Sequence, residues 1–348
     1  MKNHDYQDKQ LKKETIGSLQ RVSDSLWTLV YKNDYALDAL LEKGTGSILD
    51  TVTFLQGALR EPRLNANTGK DGFACSTFNV RDENGNPLLA RNFDYKEAPC
   101  VVVWTTPENG YRSMAIVDST FFIYGTKVFK MKNSHSRKRL LGAPYMSMDG
   151  INEKGFSCAV LEIKAKATKQ NTGKKPINTT VALRAALDRC ETVDQALDLF
   201  TSYDMHDLLG ISYHYQFADA AGNSAILEYV DNKPCIVRQK VPGENLTLTN
   251  YFLSPGGDNS DGRGKDRFEH INEVLEQNGG VLSENDAMKL LSECNLHYRH
   301  KTLKHMVITL WSAVYNCSNY SMLLCTAMDY SKKYRFYLDK PGEVFHVD

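Results

Sequence analysis

Hydrophobic and polar positions divide this chain into a helical leader and a longer region of strands. Through Arg21–Lys43 the apolar residues Val22, Leu26, Leu29, Val30, Leu37, Leu40 and Leu41 recur at helical spacing. That spacing predicts a helix, ended by Gly44 and Gly46, and Ile48–Leu59 reads as a second one. The polar stretch Glu61–Gly72, with Pro62 and Gly69, reads as an exposed linker. After Phe73 the period shortens. Strands are predicted at Cys75–Val80, Leu88–Asp94, Cys100–Thr105, Met114–Val117, Phe156–Ile163 and Tyr213–Asp219. Further ones follow at Ala225–Val230, Cys235–Gln239, Leu246–Tyr251, Val307–Tyr315, Ser321–Met328 and Arg335–Leu338. Two helical blocks interrupt them. Thr180–Leu199 carries a capping box at Thr192-x-x-Gln195, and Asp266–Leu296 breaks at Gly279-Gly280 and restarts at Ser283-x-x-Asp286. Strands in hairpin order with helices in blocks predict an α+β fold of antiparallel sheets under covering helices.

The first two strands flank Asp82-Glu83-Asn84-Gly85-Asn86, a strong hairpin signal. With Asn84 and Gly85 as the central pair, Cys75 falls opposite Asp94, and alternation puts Arg91 on the other face from Asp94. A cysteine held by an aspartate, with an arginine on the same strand, is the chemical arrangement that stands out. Read singly, Cys75 is a small buried hydrophobe and the two charges are surface groups. The arrangement gains weight only from motifs farther along the chain.

The bulk properties narrow the field. Lys plus Arg and Asp plus Glu each total 42, so no net field recruits nucleic acid or an anionic membrane. Apolar runs such as Val101–Trp104 are too short for a membrane span, and the lysine-rich first twenty residues lack an export core. The chain therefore reads as cytoplasmic, and its eight cysteines, none in a C-x-x-C pair, as mostly buried free thiols. Glu293, His297 and His300 would gather as metal ligands only if their helix continued, and a solvated basic turn is the simpler reading. Ser134–Arg139 reads as an exposed basic loop.

Cys75-Ser76, Arg91-Asn92-Phe93-Asp94-Tyr95, Asp149-Gly150-Ile151-Asn152-Glu153-Lys154-Gly155, Thr249-Asn250, Asp266-Arg267-Phe268 and Trp311–Tyr315 follow one another in order. This ordered set resembles the choloylglycine hydrolase family, the linear-amide C–N hydrolase branch of the N-terminal nucleophile (Ntn) superfamily. Bile salt hydrolases, penicillin V acylases and penicillin acyltransferases belong to it. The resemblance spans roughly Cys75 to Leu338.

It implies a four-layer αββα sandwich: residues 1–74 as a leader, a propeptide or retained α chain, and residues 75–348 as the catalytic domain. It implies autocatalytic cleavage of the Ala74–Cys75 bond, after which the freed α-amine serves as base for the adjacent thiol. An α-amine titrates near 8, far closer to neutrality than a lysine at about 10.4. By the same resemblance Arg91 lies beside the sulfur and lowers its pKa, which calls for a local irregularity near Arg91. Asp94 aims the α-ammonium. Asn250 donates to the oxyanion, a contribution of about 3 kcal/mol. Arg267 completes the electrostatic surroundings. Glu162 stands where bile salt hydrolases carry asparagine. A backbone N–H there still serves the oxyanion, while a carboxylate facing the substrate disfavours acidic headgroups and favours neutral or cationic amines.

The implied reaction is hydrolysis of a small-molecule N-acyl amide through an acyl-enzyme, with no metal and no cofactor. Acyl transfer to an amine or thiol is the enzymatic alternative, and an uncleaved, non-catalytic binding protein the alternative of another class. A homo-oligomer is compatible with the sequence.

Overall fold

In a computed structural model, the structure describes residues 2–58, 74–121, 129, 137–299 and 305–347. The linker 61–72, Phe73, residues 134–136 and His300 lie outside these.

The strands are numbered in chain order. The first sheet has nine, in the order β1 (Gln20–Arg21), β2 (Leu26–Tyr31), β5 (Cys100–Thr105), β6 (Ser113–Asp118), β7 (Ser147–Asn152), β8 (Ser157–Lys166), β11 (Ile211–Ala218), β12 (Ser224–Val230) and β13 (Lys233–Arg238). The second runs β14 (Thr247–Leu248), β3 (Ala74–Arg81), β4 (Pro87–Lys96), β16 (Met306–Asn316), β17 (Ser321–Thr326), β18 (Lys333–Tyr337) and β19 (Phe345–Val347), with β15 (His297–Arg299) also on β16. β9 (Pro176–Asn178) and β10 (Asp204–His206) form a small parallel pair. Pairing in the two large sheets is antiparallel except between β2 and β5, which run parallel.

The sheets pack face to face. Arg91 Nη1 of β4 donates to the Val160 carbonyl of β8 at 2.6 Å, and Thr77 of β3 donates to Gln216 of β11. The helices α1 (Lys2–Gly17), α2 (Leu37–Lys43) and α3 (Ile48–Ala58) belong to the leader. Outside the first sheet lie α4 (Thr179–Arg189) and α5 (Val193–Ser202); outside the second lie α6 (Lys265–Gln277) and α7 (Glu284–Glu293). This is the αββα arrangement. Both expected caps form: Gln195 N–H donates to Thr192 Oγ1 at 3.2 Å and Asp286 N–H to Ser283 Oγ at 3.1 Å.

The leader departs from expectation. Leu26–Tyr31 is a strand, not part of a helix, and only Leu37–Lys43 of the predicted helix is helical. Leu26-Trp27-Thr28-Leu29-Val30-Tyr31 is rich in aromatic and β-branched residues, which suit a pleated surface, and its pairing with β5 decides the outcome. The leader is also bound into the body. Leu26, Leu29, Tyr35 and Leu40 lie in the main hydrophobic core. Tyr35 Oη donates to Asp188 at 2.6 Å, and Tyr31 Oη to the Leu141 carbonyl at 2.7 Å.

The hairpin register is one residue away from the expected one. Gly85 N–H bonds the Asp82 carbonyl at 2.9 Å, Gly85 has φ 81°, and Asp82 N–H bonds the Asn86 carbonyl at 3.0 Å. This is a three-residue loop, a type I turn followed by a left-handed glycine, rather than a two-residue Asn-Gly turn. Cys75 therefore faces Phe93, Thr77 faces Arg91, and Asp94 faces Ala74.

Candidate active site

The shifted register puts Arg91 on the face of Cys75 and Asp94 on the other, the reverse of the sequence expectation. No irregularity is needed near Arg91, since β3 and β4 pair without a break from Ala74 to Arg81. The irregularity lies in β16, between Thr309 and Trp311.

Cys75 is fully buried. Arg91 Nη2 donates to its Sγ at 3.4 Å. The rest of the guanidinium is committed: Nη1 to the Val160 carbonyl, and Nε in an ion pair with Asp149 Oδ2 at 2.6 Å, its N–H not aligned on that oxygen. Asp149 is held in turn by Trp311 Nε1–H at 3.0 Å and by Tyr315 Oη. Trp311 also stacks on Phe93 at 4.2 Å between ring centres. A fully buried ion pair thus aims the arginine at the sulfur. Neither Asp149 nor its two donors could be assigned a role from sequence, although all three stand in the family-like motifs.

On the thiol, burial wins. It pushes the Cys75 pKa up to about 12, although Arg91 pulls it down; Asp94 raises it further, Arg267 lowers it and Glu162 raises it. Arg91 thus acts on the thiol in the expected direction, but with the Ala74–Cys75 bond intact burial outweighs it.

The backbone of Cys75 is gripped from the outer side. Its N–H donates to Asn250 Oδ1 at 2.9 Å, and its carbonyl accepts from Arg267 Nη1 at 2.7 Å. Arg267 Nη2 donates to the same Asn250 oxygen at 2.9 Å, which fixes the orientation of that amide. Asn250 Nδ2 then donates to the Glu162 carbonyl at 2.9 Å, leaving its second N–H uncommitted. Asp94 accepts from Thr309 Oγ1 at 2.5 Å and from Arg267 Nη1 at 3.5 Å.

Burial pushes the Asp94 carboxyl up to about 6, against the pull of Arg267, Thr309 and Arg91. Its preference for the proton stabilises the fold fully at acid pH, and that stabilisation is lost as the pH rises through about 6. In an uncleavable Cys75→Ala chain, Asp94→Asn removes this titration. Denaturant unfolding is expected to shift in favour of the asparagine chain by up to about 3 kcal/mol between pH 4 and 7.5. A pH-independent difference between the two chains would contradict it.

Glu162 is buried, and its carboxylate pairs with Arg263 Nη2 at 3.3 Å. Arg263, not foreseen from sequence, offsets the charge from which a preference for cationic amines was expected. β7 pairs with β8 only as far as Ala159, and the Tyr213 N–H on the β11 side goes to Asp207 at 3.3 Å. The Glu162 carbonyl is thus turned toward Asn250, and in an extended strand the N–H of the same residue points the same way.

Other candidates fall away. α7 ends at Glu293 and His297 sits on β15, so the helix that a metal cluster needs is not there. Arg139, taken for a loop residue, is buried at the start of the 3₁₀ segment Lys138–Met146. All eight cysteines are free, and all but Cys235 are buried. No helix among the described residues is long and apolar enough to cross a membrane.

Comparison with known proteins bears on the family and the fold. The chain is 26% identical over 209 residues to a penicillin V acylase of Pectobacterium atrosepticum, covering 53% of this chain and 54% of that one. It spans about half the length of that curated relative. Among solved structures, a conjugated bile acid hydrolase of Clostridium perfringens superposes with a TM-score of 0.54 at 13% identity, covering 79% of this chain and 96% of that one. Penicillin V acylase from Agrobacterium tumefaciens gives 0.51 at 18% identity, covering 79% and 86%. At such identities these two establish the fold. The family model described as acyl-coenzyme A:6-aminopenicillanic acid acyl-transferase matches residues 80–329, well over half of the sequence, and the chain belongs to that family, within the broader choloylglycine hydrolase group.

Proposed function

We propose that the protein is a cysteine amide hydrolase of the N-terminal nucleophile type, maturing by cleavage of its own Ala74–Cys75 bond. The observation that carries this is the grip on Cys75: Arg91 at the sulfur, and Asn250 on the very N–H that cleavage would turn into an amine.

In maturation the Cys75 sulfur attacks the Ala74 carbonyl carbon. The S–C bond forms, the C–N bond breaks, and the thiol proton passes to the departing nitrogen. Water then hydrolyses the thioester, leaving an Ala74 carboxylate and a free Cys75 with its own α-amine. In turnover this amine takes the thiol proton as sulfur attacks the substrate amide, then returns it to the leaving nitrogen. Asn250 Nδ2 and the Glu162 N–H receive the oxyanion, and Asp94 orients the ammonium. Water releases the acid from the acyl-enzyme.

A panel of N-acyl amides followed by mass detection tests the reading. Acid and amine should appear in equal amounts from protein whose second chain begins at Cys75. Equal activity from the uncleaved protein would remove the N-terminal amine from the mechanism. The family description favours acyl transfer as a second reading. An added amine acceptor should then form a new amide at the expense of free acid.

The leader should stay after cleavage. β2 supplies a six-residue parallel ladder to β5, and each large apolar side chain that the leader buries stabilises the assembly by about 1.5–3 kcal/mol. Both fragments are expected to co-elute from a sizing column and to part only in denaturant. A body that elutes alone, still folded, would contradict this.

A further inference from the structure

The segment that brings Asn250 to Cys75 has little regular structure of its own, because β14 is only two residues long. Upstream it is tied by Leu246, whose N–H donates to Asn79 Oδ1 at 2.7 Å and whose carbonyl accepts from Gln216 Nε2 at 3.0 Å. Downstream it is tied by Glu228 of β12. There Oε1 accepts the Leu253 N–H at 3.0 Å, and Oε2 the Ser254 N–H at 2.8 Å.

His214 of β11 lies one step beyond the cross-strand pair Tyr215–Leu227, with Nδ1 at 3.1 Å from Glu228 Oε1. Both side chains are fully buried. Burial alone would push the Glu228 carboxyl up; the bonds from His214, Ser254 and Leu253 outweigh it and hold the group below its ordinary value. An ionised carboxylate only accepts, so His214 carries its proton on Nδ1. The other ring nitrogen, Nε2, is buried with no partner. An imidazole satisfied on one side only is a poor choice for filling a core, and neither residue takes part in the chemistry proposed above.

We propose that His214 and Glu228 are positioning residues that clamp Leu253 and Ser254 and so set where the Asn250 amide lies between the Cys75 N–H and the Glu162 carbonyl. The clamp grips the chain three residues beyond Asn250, a span of at most about 10 Å. Release there lets Asn250 drift, and a displacement of about 1 Å at a reacting centre can cost on the order of a hundredfold in rate. The inference rests on the role proposed for Asn250.

The rate of conversion of newly made full-length chain into the chain starting at Cys75 reads the clamp directly. Glu228→Gln keeps the shape but replaces one acceptor oxygen by an amide N–H₂, and should slow conversion about tenfold. His214→Ala should slow it similarly, while His214→Asn, which keeps a donor near the Nδ1 position, should recover part of the rate.

The deciding comparison is Glu228→Gln combined with Asn250→Ala. If the clamp works through Asn250, the double variant is no slower than Asn250→Ala alone. Multiplying effects, at unchanged thermal midpoint, would overturn the clamp and leave the proposed function standing. A wild-type chain that never cleaves, or an Asn250→Ala chain that cleaves at full rate, would overturn the role of the site first and the clamp with it.

Discussion

Replacing Cys75 by alanine is expected to leave a single chain of 39.3 kDa and no detectable amide hydrolysis. The sulfur is both the group that would open the Ala74–Cys75 bond and the group that would carry the acyl intermediate, so no partial route remains. Cys75→Ser separates the two roles. A serine hydroxyl is far less ionised than a thiol at neutral pH but can attack the same carbonyl, so self-cleavage should slow by orders of magnitude rather than vanish. Intact mass and N-terminal sequencing over hours to days distinguish these outcomes. A Cys75→Ala chain that still appears cut between Ala74 and Cys75 would mean an outside protease makes the cut. The closed geometry then says only that Cys75 is buried.

Loss of Asp149 is expected to be the most damaging single change that does not touch Cys75. Asp149→Ala leaves the Arg91 guanidinium buried without its counter-charge and strips the acceptor from Trp311 Nε1–H and Tyr315 Oη. Removing one member of a buried ion pair costs about 3–5 kcal/mol. Burial raises the Asp149 carboxyl, with Arg91 the strongest of the groups pulling it back, so the two charges depend on each other. Denaturant midpoints in the Cys75→Ala background measure the cost without interference from cleavage. The control is Asp149→Leu with Arg91→Leu, which removes both charges and should be closer to wild type in stability than Asp149→Ala while remaining inactive. If the single variant is as stable as the parent, the pair does not anchor Arg91 as described.

Most of the strands after Phe73 could be read from the chain, because runs such as Cys100–Thr105 are continuous apolar stretches bounded by turn residues. The caps at Thr192 and Ser283 were equally plain, since capping depends on residues three apart. What escaped depends on distance in the chain. Leu26–Tyr31 carries apolar residues that fit a helical spacing as well as a strand, and only its partner β5, more than seventy residues away, selects the strand. The site was legible by residue and not by arrangement. Cys75, Arg91, Asp94, Asn250 and Arg267 do meet, but the sides from which Arg91 and Asp94 approach were exchanged. Asp149, though part of a motif, gains no role from sequence and Arg263 passes unnoticed, because an acid in a strand or an arginine in a glycine-rich loop carries no sign of its partner. The metal grouping of Glu293, His297 and His300, already set aside for a solvated turn, would need helical spacing to run past the end of α7 at Glu293.

The turn Asp82–Asn86 sits on the surface, where the addition or loss of a residue usually passes without consequence. Here its length sets which side chains of β4 share a face with Cys75. A two-residue Asn-Gly connection would slide β4 by one position against β3, carrying Arg91 off the thiol's face and setting Asp94 in its place. Among relatives of this chain, a hairpin of different length would therefore signal a rewired surrounding for the proposed nucleophile even where every named residue is retained.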